Sequence, residues 1–382
     1  MFKQILSAAA CLGLLFAAAP AKAEGQKPES LSSLSAVLYE PESGRVLYEK
    51  DAHTPRPMAS TTKLMTALLA MENAAPDQNV VVTREAILVE GSALGLREGD
   101  NISMLDLVTG LLLESGNDAA NTIALTVSGS LPAFAEKMNQ KAKELGMKDS
   151  VFVTPSGLDQ GGHSSSAYDM ALLGAAVMRN PALAAICAKK SAVIELGNPK
   201  HKATVVNHNK LLNLYPYAVG MKTGFTKKSG KCLVSSAKKD GVTLVAVTLN
   251  GGDYWNDHIK LFDYGFSQVE AVQLEAPCLP DIAVTGGCTS RVQPRMEKPP
   301  AVTLLKGEKE KLVVRVELDA FEWAPVAAGQ PLGSVRYLVG DRELCRLPVT
   351  AAYTVDARPV AGYKDQATVS YTHLTLPTNS RV

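Results

Sequence analysis

The sequence is expected to fold as an α+β protein, an antiparallel sheet carrying a helical layer, followed by a separate all-β domain. Three observations lead there. Short apolar runs with turn chemistry open and close the first two thirds of the chain, five segments of helical periodicity lie between them, and beyond residue 274 the chain turns to short strands punctuated by Gly and Pro. With 382 residues, both domains are long enough to bury a core.

Taken in order, residues 35–39 and 45–48 flank Pro41-Glu42-Ser43-Gly44, a hairpin signal. Residues 60–73, 105–114, 117–127, 131–145 and 167–178 repeat apolar side chains at spacings of three and four, and Gly146 is placed to stop the fourth helix. From residue 193 the texture is β again, with strands at 219–223, 231–237 and 242–249, the last two joined by Lys238-Lys239-Asp240-Gly241. Residues 254–269 return to helix, and residues 312–318 and 332–339 are strands of the second domain. The expected domains are therefore residues 24–274 and 275–368.

The two ends are not read as fold. Lys3, an apolar run over residues 5–19 and the small-residue site Ala21-Lys22-Ala23 describe a signal peptide over residues 1–23, with Cys11 inside its apolar core. That run, about 15 residues, is too short to span a bilayer. At the other end, Val369-Ser370-Tyr371-Thr372-His373-Leu374-Thr375-Leu376-Pro377-Thr378 back-translates to a transposase adapter used in sequencing libraries. Residues 369–382 are thus expected to be translated adapter, with the native terminus missing.

Lys plus Arg number 39 against 38 for Asp plus Glu. Removing the two end segments takes three basic residues and no acid, leaving a net charge of about −2. Such a balance offers no field to nucleic acid. Cys187, Cys232, Cys278, Cys288 and Cys345 form no Cys-x-x-Cys pattern, and His53, His163, His201, His208 and His258 are scattered, so neither a metal nor a cofactor is expected. In an exported chain Cys278 and Cys288, ten residues apart, are candidates for a bridge.

The chemistry starts at Ser60-Thr61-Thr62-Lys63. On a helix a spacing of three puts a hydroxyl and an amine on one face, and a lysine whose pKa is depressed can activate a serine. The competing reading is an N-cap serine and a solvated lysine. Ser235/Lys238 and Ser236/Lys239 repeat the spacing, but they run off a strand, where it separates the side chains. Ser115-Gly116-Asn117 sits between two helices, and Lys222-Thr223-Gly224 ends a β run. In this order the three motifs mark the penicillin-recognising serine acyltransferases.

Over residues 34–357 the chain resembles the D-alanyl-D-alanine carboxypeptidases of the low-molecular-mass penicillin-binding proteins. The likeness lies in Gly44-Arg45-Val46-Leu47-Tyr48, Ala59-Ser60-Thr61-Thr62-Lys63-Leu64, Ser115-Gly116-Asn117-Asp118-Ala119-Ala120, Thr154-Pro155-Ser156-Gly157-Leu158 and Lys222-Thr223-Gly224-Phe225-Thr226; Thr154 stands where many relatives have Asn. The resemblance implies the penicillin-recognising serine transferase fold and hydrolysis of the terminal D-alanine from stem pentapeptides. Ser60 would be the nucleophile, Lys63 its base and Ser115 the proton relay. Asn117 would position the substrate amide, Lys222 and Thr223 would hold its carboxylate, Gly224 would let a peptide lie against the strand, and the N–H groups of Ser60 and Phe225 would form the oxyanion hole. It also implies acylation by β-lactams, a place outside the cytoplasmic membrane, and a C-terminal amphipathic helix on the membrane surface that this sequence lacks. Two alternatives compete. A β-lactamase needs a glutamate for its deacylating water, and residues 154–163 have none; an inactive murein-binding protein needs no intact motifs.

Overall fold

The computed structural model describes residues 26–359. They form two compact units, one running through Val272 and including Ala301–Gly307, the other made of Gln273–Pro300 and the residues from Glu308 onward. This corrects the expected contiguous second domain. Ala301–Leu305 pairs as a strand with Val269–Gln273, and the Lys306 N–H donates to the Gln268 carbonyl at 2.9 Å, so the chain returns to the first unit before leaving again. The segments expected to be a signal peptide and translated adapter lie outside the described residues.

The first unit begins with β1 (Ser35–Glu40), β2 (Arg45–Lys50), α1 (Lys63–Asn73), β3 (Asn79–Val81), α2 (Arg84–Ile87) and β4 (Asn101–Ser103). It continues through α3 (Met104–Leu113), α4 (Asn117–Ser128), α5 (Leu131–Glu144), α6 (Ala167–Arg179) and α7 (Pro181–Cys187). Then come β5 (Ser191–Gly197), β6 (Lys200–Val206), α8 (Leu211–Leu214), β7 (Ala218–Thr226), β8 (Gly230–Lys239), β9 (Val242–Gly251), α9 (Tyr254–Gln268) and β10 (Val269–Gln273).

Five strands pair antiparallel in the order β2-β1-β9-β8-β7. Side chains alternate across a strand, and this sheet uses both faces. In β9, Val245, Val247 and Leu249 join the core shared with the helical layer, whereas Leu244 and Ala246 pack with Leu261 and Phe262 of α9. Serine side chains start three helices: Ser103 accepts from Asp106 N–H, Ser130 from Ala133 N–H and Ser166 from Asp169 N–H. Residues 63–70 of α1 are buried without interruption, so this helix is the centre of the helical layer, packed against α3, α4, α5, α6 and α7.

The second unit holds β11 (Ile282–Thr285), β12 (Arg291–Val292) and β13 (Pro294–Met296). Past β14, the Ala301–Leu305 strand of the first unit, it continues with β15 (Leu312–Leu318), β16 (Phe321–Trp323), β17 (Pro331–Val339) and β18 (Arg342–Ala351). Its sheets run β12-β11-β16 and β13-β18-β17-β15. A small core joins Ile282, Val284, Val292, Val326, Leu332, Ala351 and Val355. Cys278 and Cys288 are exposed free thiols, so the expected bridge is not formed.

Candidate active site

The first helix was expected to open at Ser60; instead Ala59–Thr62 is a 3-10 turn and α1 begins at Lys63. The Met58 carbonyl closes the turn, accepting from Thr61 N–H at 3.3 Å and from Thr61 Oγ1–H at 2.6 Å. Pro57 precedes the turn, and the buried Ala59 enters it at φ +49°, a left-handed conformation that costs a residue with a Cβ. Thr62, not Ser60, is the N-cap of α1, and Lys63 exposes no surface. Both observations remove the reading of a capping serine and a solvated lysine.

Lys63 Nζ lies 2.8 Å from Ser60 Oγ, 2.7 Å from Asn117 Oδ1 and 2.7 Å from the Ser156 carbonyl. The last two atoms only accept. As an ammonium, Lys63 donates to all three oxygens; in its neutral form, with two N–H bonds donated to Asn117 and Ser156, the lone pair would be left for the Ser60 hydroxyl. Burial pushes the Lys63 pKa well below the usual lysine value, the Lys222 cation pushes it further, and Asp118 opposes them. Ser60 itself is half-buried.

Asn117 is fixed at its other end, where Nδ2 donates to the Glu90 carbonyl at 2.5 Å. Both ends of its carboxamide are thus engaged inside the protein, so Asn117 orients Lys63 while one N–H and one oxygen lone pair remain beyond these two bonds. Ser115 is buried in the turn before α4, at φ +65°. Its hydroxyl makes no hydrogen bond among the described residues, and its link to Lys63 runs through Asn117 two residues on. Asp118 accepts from the N–H groups of Leu94, Gly95 and Leu96 at 2.7–3.0 Å, which pins the loop beside this turn.

From the sheet side comes β7. Lys222 is 1% exposed, and its Nζ donates to the Thr223 carbonyl at 3.1 Å. Burial pushes its pKa down to about 8, opposed by Cys187 and Glu114. Thr223 is half-buried and the Phe225 side chain is 66% exposed. Gly224 meets the nucleophile directly: a Cβ there would lie 2.9 Å from Ser60 N and 3.0 Å from the Met58 carbonyl. Its bare face is therefore turned to the Ser60 turn, not outward to a peptide as expected, and this closeness sets Ser60 N–H beside β7.

A half-buried serine against a fully buried lysine, with a second buried lysine and a strand along its edge, has the geometry of an acyl-transfer site, and sequence comparison identifies the lineage. The D-alanyl-D-alanine carboxypeptidase family matches over residues 21–253 and the C-terminal domain of penicillin-binding protein 5 over residues 279–357. The chain belongs to the D-alanyl-D-alanine carboxypeptidase family. It is a low-molecular-mass penicillin-binding protein of the serine-hydrolase type. D-alanyl-D-alanine carboxypeptidase DacF of Bacillus subtilis is 32% identical over 344 residues, covering 87% of this chain and 88% of the relative. DacC of Escherichia coli is 31% identical, with 91% of each chain covered. Among solved structures, penicillin-binding protein 5 of Haemophilus influenzae superposes with a TM-score of 0.66 at 29% identity, over 87% of this chain and 100% of that one.

Around these motifs the carboxypeptidase site relies on groups that sequence reasoning did not single out. The segment 154–158 wraps the start of α1. Its Ser156 carbonyl takes Lys63, its Pro155 carbonyl accepts from Thr66 Oγ1 at 2.6 Å, and a Cβ on Gly157 would stand 2.0 Å from the Ala59 carbonyl. Thr154 Oγ1 accepts from Gly157 N–H at 3.1 Å, so the Thr154 hydroxyl closes this turn. His163 accepts from Val153 N–H on Nδ1 at 2.9 Å, so its proton is on Nε2, which donates to Thr62 Oγ1 at 2.8 Å. Burial lowers its pKa to about 4. Most of these contacts use backbone atoms, which leave no residue-type signature. The string Thr154-Pro155-Ser156-Gly157-Leu158, noted only as a resemblance, was the available signal.

Proposed function

We propose that the chain removes the C-terminal D-alanine from peptidoglycan stem pentapeptides through a Ser60 acyl-enzyme, and that β-lactams acylate the same serine. The observation that carries this reading is the fully buried Lys63 Nζ, 2.8 Å from Ser60 Oγ and held there by the Asn117 and Ser156 oxygens. Lys63 takes the hydroxyl proton as Ser60 Oγ bonds to the carbonyl carbon of the penultimate D-alanine. The oxyanion is met by the N–H groups of Ser60 and Phe225, where one donor is worth about 3–4 kcal/mol of barrier. As the C–N bond breaks, the proton passes from Lys63 by way of Ser115 to the departing amine. Water then attacks the ester, Lys63 takes its proton, and Ser60 is restored. Lys222 and Thr223 hold the terminal carboxylate, and the Lys222 charge keeps Lys63 neutral.

Export to the outer side of the cytoplasmic membrane is part of the proposal and rests on the leader-like residues 1–23. Intact mass of the purified chain after exposure to benzylpenicillin, with peptide mapping, tests the acyl-enzyme: one penicilloyl group on Ser60 is expected, and labelling elsewhere or none overturns it. Rapid penicillin turnover without a persistent adduct would favour the β-lactamase alternative.

A further inference from the structure

The four-stranded sheet of the second unit ends on β15, which pairs with β17 on one side and with no strand on the other among the described residues. An edge strand presents backbone N–H and C=O groups ready to take up another strand, and proteins usually guard such an edge by shortness, proline, lysine or a bulge. The other edges of this unit are guarded in that way: β12 has two residues, β16 has three, and β13 has three and starts at Pro294. β15 carries none of these devices. Its seven residues keep an unbroken register with β17, five of them are aliphatic, and Val313, Val314 and Val316 are 48%, 38% and 39% exposed.

Charge supplies the second observation. Arg315 stands opposite Arg336, which stands opposite Arg346, so three guanidinium groups line up across one face of the sheet. Like charges in that position destabilise a sheet unless carboxylates lie between them. Glu343 reaches Arg336 at 2.5 Å and Arg346 at 3.2 Å, and Glu317 reaches Arg336 at 3.0 Å. The exposed Arg315 has no ion pair among the described residues.

A second copy of the strand supplies what is missing. Two β15 strands set antiparallel about a two-fold axis through Val316, perpendicular to the sheet, place Arg315 opposite the other copy's Glu317 and Glu317 opposite its Arg315. Val314 then meets Leu318, and Val316 meets its own copy. Glu317 keeps Oε1 on Arg336 and offers Oε2 to the incoming arginine. Other registers fail: an axis at Arg315 opposes two arginines, one at Glu317 opposes two glutamates, and one at Val314 leaves Arg315 facing a valine. A slip of one residue would turn the apolar row to the wrong face. We infer that this chain self-associates through β15, two copies joining edge to edge so that their sheets become one, with the paired Arg315 and Glu317 fixing the register. The contact is small, so a weak dimer is expected, with a Kd of about 10–100 μM.

Sedimentation velocity of the purified chain from about 1 to about 300 μM tests this, and a monomer–dimer equilibrium is the expected result. Arg315→Glu alone and Glu317→Arg alone should each stay monomeric over that range, because like charges then face one another, while an equimolar mixture of the two variants should form the dimer again. Should Glu317→Arg not fold for want of its bond to Arg336, Val316→Lys and Val316→Glu replace the pair: each alone monomeric, the two together dimeric. Unchanged circular dichroism shows that a variant is folded. A wild-type chain that is monomeric throughout, a dimer that survives the single charge reversals, or a mixture that stays monomeric overturns the inference.

Discussion

Two regions of the first unit carry the same Ser-x-x-Lys spacing with opposite results. At Ser60–Lys63 a 3-10 turn running into α1 brings Nζ within 2.8 Å of Oγ and buries the lysine completely. On β8 the alternation of the strand sends Ser235 inward, where its Oγ meets His258 Nδ1, while Lys238 is exposed. Ser236 likewise donates to the Leu244 carbonyl at 2.9 Å, and Lys239 lies 5.1 Å from the centre of the Tyr217 ring. Spacing acquires chemical meaning only through the backbone that carries it. A nucleophile also requires a lysine stripped of water and held by acceptors, which the strand pairs lack.

Breaking the contrast at its source gives the largest effect. Ser60→Ala should reduce penicillin acylation and D-alanine release by about a thousandfold or more, whereas Ser235→Ala should leave the acylation rate intact. Next, Lys222→Ala should lower acylation efficiency about a hundredfold, near 2.7 kcal/mol, and Lys238→Ala should change it less than about twofold; stopped-flow acylation reads both. Gly157→Ala forces a Cβ to within 2.0 Å of the Ala59 carbonyl and so displaces the serine turn. A loss of about tenfold or more in kcat, with a lowered melting temperature, is expected.

The pH dependence sharpens the contrast further. The proposed mechanism requires Lys63 neutral and Lys222 charged. In the free enzyme kcat/KM should therefore fall as pH rises through the Lys222 pKa of about 8, and kcat should hold to higher pH because the substrate carboxylate stabilises the cation. A kcat/KM profile flat from pH 7 to about 10 would remove Lys222 from this role. The smallest effect belongs to the strand region. Burial lowers the His258 pKa to about 3, so the unfolded chain binds the extra proton as pH falls below about 6.5, and stability drops from there toward pH 3. Removing the Ser235 hydroxyl leaves His258 Nδ1 without its partner and should cost about 1–3 kcal/mol in chemical denaturation.

The sequence is informative where residue types act through local geometry and less so where the backbone acts at a distance. Ser60 and Lys63 are visible because a helical turn converts spacing into proximity. The strands β1, β8 and β9 are visible as short apolar runs bounded by turn residues. The Ser156 and Glu90 carbonyls are not, since any residue supplies a carbonyl, and only the folded path of 154–158 and of the loop between α2 and β4 brings them to Lys63 and Asn117. Gly224 was recognised as significant but assigned to the wrong neighbour, because its missing side chain faces Ser60 N across a contact between elements far apart in the chain. The return of β14 to the first unit was hidden for a related reason. Its apolar run matches those of the β unit around it, and only its pairing with β10 distinguishes it.

The account depends most on Lys63 being neutral in the resting enzyme. Its side-chain carbon resonances, followed by NMR in lysine-labelled protein and assigned by difference with Lys63→Arg, report that state directly. A resonance titrating well below the usual lysine value, moving up toward it in Lys222→Ala, is the expected result. A Lys63 resonance titrating at the ordinary value near 10.5 would contradict the account, since Ser60 would then have no base at neutral pH.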